Sequence, residues 1–186
     1  MLRYLILKEI GVQMKTEVLI IGGSFAGLAA AMQLVRGHRE VVVLDAGRPR
    51  NRFAAHAHGI FGMDGKSPED IKNIVLDQLK YYPSFQYRKG EAVRGTYDEL
   101  QQRFIIETSE FEIIAKKVIL ATGVKDQLPQ IKGLTERWGK TVVHCPYCHG
   151  YELSHRQLGV IATHPLSIHQ AAMIPDWGVT TLFTQG

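Results

Sequence analysis

A chain of 186 residues has room for one sizeable domain and part of another, and its 45% hydrophobic content is that of an ordinary globular protein. The formal charge of +4 is mild and its basic residues are scattered, so no face is marked for nucleic acid. No apolar run approaches the roughly 18 residues of a membrane span, and two cysteines without a recognisable secretory leader suit a reducing, cytoplasmic setting.

In chain order, residues 1–13 read as an N-terminal extension ahead of a natural start at Met14, with an extra edge strand as the alternative. Glu17–Ile21 is a continuous apolar run, the pattern of a strand buried on both faces of a parallel sheet. Phe25–Arg36 predicts a helix with Leu28, Met32, Leu34 and Val35 turned inward, and Glu40–Leu44 a second buried strand, which together make a βαβ unit. The loop Ala46–Lys66 is rich in Gly, Arg, His and Asn, and its length favours a functional loop over a passive connector. Within it, Arg48, Arg50 and Arg52 suit local phosphate or surface chemistry. His56 and His58 have a spacing that suits a metal but more simply read as solvated loop histidines.

Ser67-Pro-Glu-Asp70 is a helix start, with a capping serine, proline at the first position and an acid at the third, and the helix is expected to run to about Tyr82. Tyr81 and Tyr82 read as packing residues. From Gln86 to Lys117 the pattern is of short strands, with Arg103–Thr108 and Phe111–Lys116 flanking a turn at Ser109-Glu110, an antiparallel excursion from the main sheet. Val118–Ala121 returns as a buried strand that ends at Thr122-Gly123. A connector through Leu128-Pro129 and Gly133 reaches the cysteines. Gly159–Ala162, Ser167–Asp176 and Val179–Phe183 then read as strand, helix, strand. The expected fold is α/β: a Rossmann-like parallel sheet with an antiparallel β excursion, followed by the start of a second Rossmann-like domain.

Two motifs carry chemistry. Gly22-Gly23-Ser24-Phe25-Ala26-Gly27 ends the first strand and opens the first helix. A turn this tight needs residues without a Cβ, and it lets the unpaired N–H groups of the helix start approach a pyrophosphate. Ser24 stands at the middle glycine of the G-x-G-x-x-G pattern, and is small enough to donate a hydrogen bond there. Asp45 follows at the end of the second strand, where an acid accepts from a ribose hydroxyl. A turn serving only close helix–strand packing is the plainer alternative. The second motif is Cys145-Pro-Tyr-Cys148-His149. C-type haem attachment needs export and a small helical fold, which the parallel-sheet pattern does not offer. Zinc bound by His144, the two cysteines and His149 would strain tetrahedral geometry. A reducible disulfide, its thiol tuned by a helix start or a neighbouring imidazolium, is the third reading and the one that fits the setting.

Gly22–Gly27, the strand end Ala121-Thr122-Gly123 and a CxxC-x-Gly after a connector occur in the order seen in the thioredoxin reductase family, which the chain resembles from about Thr16 to Gly186. Cys145-Pro-Tyr-Cys-His-Gly-Tyr-Glu152 is most similar to the variant branch of flavin-dependent dithiol oxidases and reductase-like proteins. The resemblance implies an FAD-binding domain over residues 14–133 and the start of a second nucleotide-type domain over 134–186. It implies cofactor contacts at Gly22, Gly23, Ser24, Phe25, Ala26, Gly27, Asp45, Ala46, Arg52, Val93, Ala121, Thr122 and Gly123. It also implies that Cys148 faces the flavin, Cys145 exchanges with a substrate disulfide, and His149, in place of the family's usual acid, protonates the leaving thiolate.

The expected partner is a thioredoxin-like protein or a small-molecule disulfide or dithiol, with homodimerisation the family's usual state and neither nucleic acid nor membrane involved. Two departures stand out. Gly159-Val-Ile-Ala-Thr-His-Pro-Leu166 lacks the glycine turn that would receive NADPH. The sequence also ends at Gly186, before the family's return segment to the FAD domain, so that domain is expected to be incomplete. The first function expected is therefore FAD-dependent thiol–disulfide oxidoreduction. The alternatives are the reverse reaction, dithiol oxidation with electrons passed to oxygen, and a non-catalytic nucleotide-binding fragment.

Overall fold

The structure is a computed structural model that describes residues 13–184; of the N-terminal extension, only Gln13 falls within it. The chain divides into two compact units, one taking the chain up to Arg52 with Glu69–Lys125, the other taking Phe53–Pro68 and the chain from Asp126.

The first unit is one six-stranded sheet in the order β3-β2-β1-β6-β5-β4. Its strands are β1 (Gln13–Ile21), β2 (Val41–Asp45), β3 (Phe85–Lys89), β4 (Arg94–Asp98), β5 (Arg103–Glu107) and β6 (Glu112–Leu120), and its helices are α1 (Phe25–Arg36) and α2 (Pro68–Leu79). β1 pairs in parallel with β2 and β6, which leaves it central. Its unbroken apolar run follows from that position, because alternate side chains enter different cores. Val18 and Ile20 join Leu28, Ala31 and Val35 of α1 and Leu79 of α2 in one core. Leu19 joins Val42, Leu44, Ile106 and Ile113 in the other. Every residue of β2 is buried. Each such Val, Leu or Ile contributes about 1.5–3 kcal/mol on burial. The α1 boundaries agree with the sequence expectation; β1 starts four residues earlier, and β2 lies one residue further on.

Two strand expectations are corrected. The sequence pattern groups β3 with the antiparallel excursion, but it runs parallel to β2, with Val43 opposite Tyr87. Phe111–Lys116 and Val118–Ala121 were expected as separate strands, and the structure makes them the single strand β6. The Lys116-Lys117 pair reads as a break in the apolar pattern. Both side chains are exposed, however, and Lys116 reaches Glu17 at 3.4 Å, so the strand passes through without burying a charge. β6 pairs antiparallel to β5 on one edge and parallel to β1 on the other, which joins the excursion to the main sheet. The expected turn is held by Thr108, whose buried hydroxyl accepts from the N–H groups of Glu110 and Phe111 and donates to the Phe111 carbonyl. α2 stops at Leu79 and not Tyr82; tight turns follow, with Tyr82 N–H on the Leu79 carbonyl at 3.0 Å. Tyr82 packs against the first core, as expected, whereas Tyr81 is exposed.

The second unit carries the parallel pair β7 (Arg156–Ile161) and β8 (Gly178–Phe183), with the helix α5 (Leu166–Met173) between them in sequence, the right elements for an opening βαβ turn. Two single-turn helices precede them, α3 (Leu134–Arg137) and α4 (Pro146–His149). The loop 53–68 closes on itself through Ala57 N–H on the Lys66 carbonyl (2.8 Å) and Gly59 N–H on the Asp64 carboxylate (2.7 Å). His56 is exposed, consistent with a solvated loop residue. His58 is three-quarters covered and sits 3.5 Å from Asp64 and 3.4 Å from Glu152, so it is not simply solvated. Among the described residues no helix is long and apolar enough to cross a membrane.

Candidate functional site

In the first unit the parallel strands β1, β2, β3 and β6 all end on one edge of the sheet, and the segments leaving that edge hold most of the expected cofactor residues: Gly22–Gly27, Asp45-Ala46, Val93 and Ala121–Gly123. Arg52 lies further along, exposed, with its guanidinium on the Pro49 carbonyl at 2.9 Å.

The glycines of the first turn are fixed by the protein's own backbone. Gly22 has φ +114°, and a Cβ there would run into the carbonyl of Ala121. A Cβ at Gly27 would strike the carbonyl of Gly22, and one at Gly23 would come within 2.6 Å of the Asp45 Cβ. Gly23 therefore serves the acid at the end of β2, an explanation the motif alone does not supply. Ser24 is the N-cap of α1 in extended conformation, and its side chain makes no capping bond. The first-turn N–H groups of α1 have no intrahelical acceptor, as at any helix start, and carry the positive end of the dipole.

Asp45 is 7% exposed, yet charged. Its Oδ1 accepts from Gly47 N–H at 2.9 Å, and its Oδ2 from Lys72 Nζ at 2.5 Å and from the Tyr87 hydroxyl. Burial alone would raise the Asp45 carboxyl, but the hydrogen bonds from Lys72, Tyr87 and Gly47 outweigh it and hold the group below its usual value. For Lys72, burial pulls the ammonium down, and its bonds to Asp45 and Tyr87 more than restore it. Burial and the bond to Asp45 raise the Tyr87 phenol. All three shifts favour one arrangement: carboxylate, ammonium and protonated phenol. A cavity of about 470 Å³ opens beside this group, lined also by Arg48, Lys89 and Glu91, with Arg48 and Glu91 ion-paired. Sequence reasoning missed Lys72 and Tyr87. The available signal was the alternation of Phe85 and Tyr87 in an edge strand, which puts the phenol on the inner face beside β2.

In the second unit Cys145 and Cys148 are joined as a disulfide, with Cα atoms 5.3 Å apart. Cys145 is the N-cap of α4, Pro146 takes the first helical position, and the Cys145 sulfur accepts the Cys148 N–H at 3.2 Å. Gly150 is the residue on which the turn rests: its N–H bonds the Pro146 carbonyl at 2.6 Å, and a Cβ would come within 2.6 Å of that oxygen and 2.7 Å of the Trp177 ring. Tyr147 meets Trp177 edge to face at 5.1 Å. The Nδ1 of His149 is buried and has no hydrogen-bond partner among the described residues.

The turn after β7 differs from the one after β1 in its chemistry. The N–H groups of Thr163 and His164 go to the Ser167 hydroxyl at 3.2 and 3.4 Å, and that of Leu166 goes to the His164 ring at 3.2 Å. Ser167 is buried. Amides that would meet a phosphate in a dinucleotide turn are here used by the chain itself.

A mixed sheet whose parallel strands carry a glycine turn after β1, in a chain whose other unit holds a CxxC disulfide, defines the class of dinucleotide-binding disulfide oxidoreductases. Residues 16–166 match the pyridine nucleotide-disulphide oxidoreductase family, and the chain belongs to it. It is similar to thioredoxin reductase tcpT of Claviceps purpurea, at 36% identity over 156 residues, covering 81% of this chain and 47% of that one. Thioredoxin reductase aclD of Aspergillus oryzae is 33% identical over 162 residues, covering 81% and 49%. Among solved structures, an oxidoreductase from Agrobacterium tumefaciens superposes with a TM-score of 0.88 at 49% identity, over 93% of this chain and 58% of that one. The chain thus spans about half the length of the curated relatives it matches.

The family implies a flavin, and the residues present fit a flavin dinucleotide. The glycine cradle brings a helix start close to the sheet edge, and Asp45 keeps acceptor capacity: an ionised carboxylate has about four lone-pair sites, and three donors are in place.

Proposed function

We propose that the chain is part of an FAD-dependent thiol–disulfide oxidoreductase in which electrons pass through the Cys145–Cys148 pair to a disulfide substrate. The observation that carries this is the seating of the disulfide at a helix start, with the Cys145 sulfur on the Cys148 N–H. When the pair is reduced, that N–H favours the thiolate at Cys145, the form that attacks a disulfide. FAD would be held by residues 14–133, through the N–H groups at Ser24–Gly27, the carboxylate of Asp45 and the segments at Ala46, Arg52, Val93 and Ala121–Gly123. Residues 134–186 open the second nucleotide-type domain.

Bound there, the flavin supplies the two-electron step that interconverts the disulfide and dithiol forms of the pair. The chain's own sulfurs do the exchange. The Cys145 thiolate attacks one sulfur of the substrate disulfide, and a mixed disulfide forms as the other substrate sulfur leaves and takes a proton. Cys148, as thiolate, then attacks Cys145, the second substrate thiol is released, and the Cys145–Cys148 bond re-forms. Substrate gains two electrons and two protons; the pair loses them. His149, with a buried ring nitrogen that no described residue engages, is the proton carrier we assign. The substrate class is a thioredoxin-like protein or a small-molecule disulfide.

A second reading, the reverse flow from a dithiol substrate through the pair and the flavin to oxygen, is favoured by the turn after β7. Its amides are taken by Ser167 and His164, which supports a protein that does not draw electrons from NADPH. The test common to both readings begins with purification. The protein should bind FAD and show two thiols only after dithiothreitol, and Cys145→Ser or Cys148→Ser should each abolish turnover of a model disulfide or dithiol. A protein that takes up no FAD, or whose single-cysteine variants keep turnover, sinks the proposal.

A further inference from the structure

The acid at the end of β2 is embedded in a group that the nucleotide-binding pattern does not include. Oδ2 of Asp45 receives both Lys72 Nζ and the Tyr87 hydroxyl, which fills that oxygen; among the described residues Oδ1 receives only Gly47 N–H. Lys72 comes from the second turn of α2 and its ammonium lies 5.4 Å from the centre of the Tyr87 ring, so the two donors also hold one another. Side-chain exposure is 8% for Asp45 and 21% for Lys72. The group is therefore mostly shielded from solvent but opens on the 470 Å³ cavity at the sheet edge. Gly23 lies against the same side chain, where a Cβ would come within 2.6 Å of the Asp45 Cβ and 2.9 Å of its Oδ2. A short carboxylate bonded by three donors and closed in by Gly23 has its direction set by its neighbours and not by its own rotamer freedom.

We propose that Lys72 and Tyr87 are positioning residues for the dinucleotide: by saturating Oδ2 they leave Oδ1 as the single acceptor for a ribose hydroxyl of the adenosine half. The inference rests on the reading of this unit as the FAD domain. It assigns to α2 and β3, elements outside the glycine turn, a part in choosing a dinucleotide with an intact ribose. The ammonium of Lys72 and the phenol of Tyr87 act through Asp45 and touch no reacting atom. Three consequences separate this role from a merely structural one. Loss of the clamp should weaken FAD binding. The loss should be selective for the ribose hydroxyl. And the loss should vanish when Asp45 itself cannot accept in the same way.

The experiment measures the dissociation constant of FAD, and of an FAD analogue lacking the adenosine 2′-hydroxyl, by flavin fluorescence with the full chain. Variants are Lys72→Met, Lys72→Arg, Tyr87→Phe and Asp45→Asn, each checked for native circular dichroism. The wild-type chain should prefer FAD over the deoxy analogue by about tenfold or more, the worth of one hydrogen bond to a charged acceptor. Lys72→Met should weaken FAD by a similar factor and bring the preference close to one. Tyr87→Phe should do the same in smaller measure, and Lys72→Arg, which keeps a cation on Oδ2, should restore most of it. In Asp45→Asn, adding Lys72→Met should cost nothing further. A Lys72→Met protein that keeps both the wild-type affinity and the wild-type preference overturns the inference while leaving the FAD assignment intact. A wild-type chain that binds no FAD overturns the assignment and the inference with it. Should Lys72→Met not fold, Tyr87→Phe decides: an unchanged preference in that variant overturns the clamp.

Discussion

Single residues in this chain are constrained by two different demands, space and backbone angle, and they can be told apart. Gly22 is subject to both: φ +114° and a backbone carbonyl in the way. Gly123 is subject to one only, with φ +66° and nothing within 4 Å of a built Cβ. Gly123→Ala should therefore cost about 1–2 kcal/mol from the left-handed backbone alone. Gly22→Ala should cost clearly more, since the Ala121 carbonyl cannot yield without disturbing the β1–β6 ladder; urea unfolding of the two variants checks the order. Asp45 makes a pH prediction. Its folded carboxyl lies below the usual value, so the stability it contributes is fully present above the unfolded value. That contribution is lost as pH falls through the folded one. Wild-type unfolding free energy should fall below about pH 4, and Asp45→Asn should flatten that part of the profile while lowering stability at neutral pH, because Lys72 is left buried beside a neutral amide. Equal slopes for the two proteins would remove Asp45 from the account.

At the scale of elements, what the sequence makes readable is what one segment decides by itself. α1 was legible to the residue because its apolar spacing, its glycine-serine start and its basic last turn all agree. β1 and β2 were legible as buried strands because both faces demand apolar side chains. β6 reads as two strands because two lysines interrupt it, and only the tertiary structure reveals that Lys116 has Glu17 to reach and that both lysines stay exposed. The direction of β3 is hidden for a related reason: a five-residue edge strand does not announce whether its partner runs parallel. The same limit applies to the candidate site. Gly22–Gly27, Asp45 and the cysteine pair stand out as local patterns, whereas Lys72 and Tyr87 matter only through a carboxylate 27 and 42 positions away. The turn between β5 and β6 gives an element-scale test. Thr108→Val keeps shape but leaves the Glu110 and Phe111 amides without their acceptor. It should cost about 1–3 kcal/mol in urea unfolding, whereas Ser109→Ala, on the same turn, should be within about 0.5 kcal/mol of wild type.

For the molecule as a whole, the two units repeat one topological idea with opposite chemical outcomes. After β1, the turn is all small residues and its helix start is open. After β7, the equivalent turn contains no glycine, and Ser167 and His164 take up the amides of Thr163, His164 and Leu166. The first turn is suited to a pyrophosphate; the second already carries a substitute for one, built from its own side chains. Filling it with a nucleotide would require breaking three hydrogen bonds and admitting phosphate against residues that have side chains where close approach needs none. The chain should therefore show no saturable binding of NADPH in a fluorescence titration under conditions where FAD binds. In the flavin-loaded protein without oxygen, NADPH should leave the flavin colour unchanged over the time in which an excess of dithiol bleaches it. Ser167→Gly should not by itself create NADPH binding, because His164 and Pro165 still crowd the turn. Rapid bleaching by NADPH would sink this division of labour and favour the flow from flavin through the pair to a disulfide substrate, whereas bleaching by dithiol alone would favour the second reading, in which electrons enter at Cys145 and leave through the flavin.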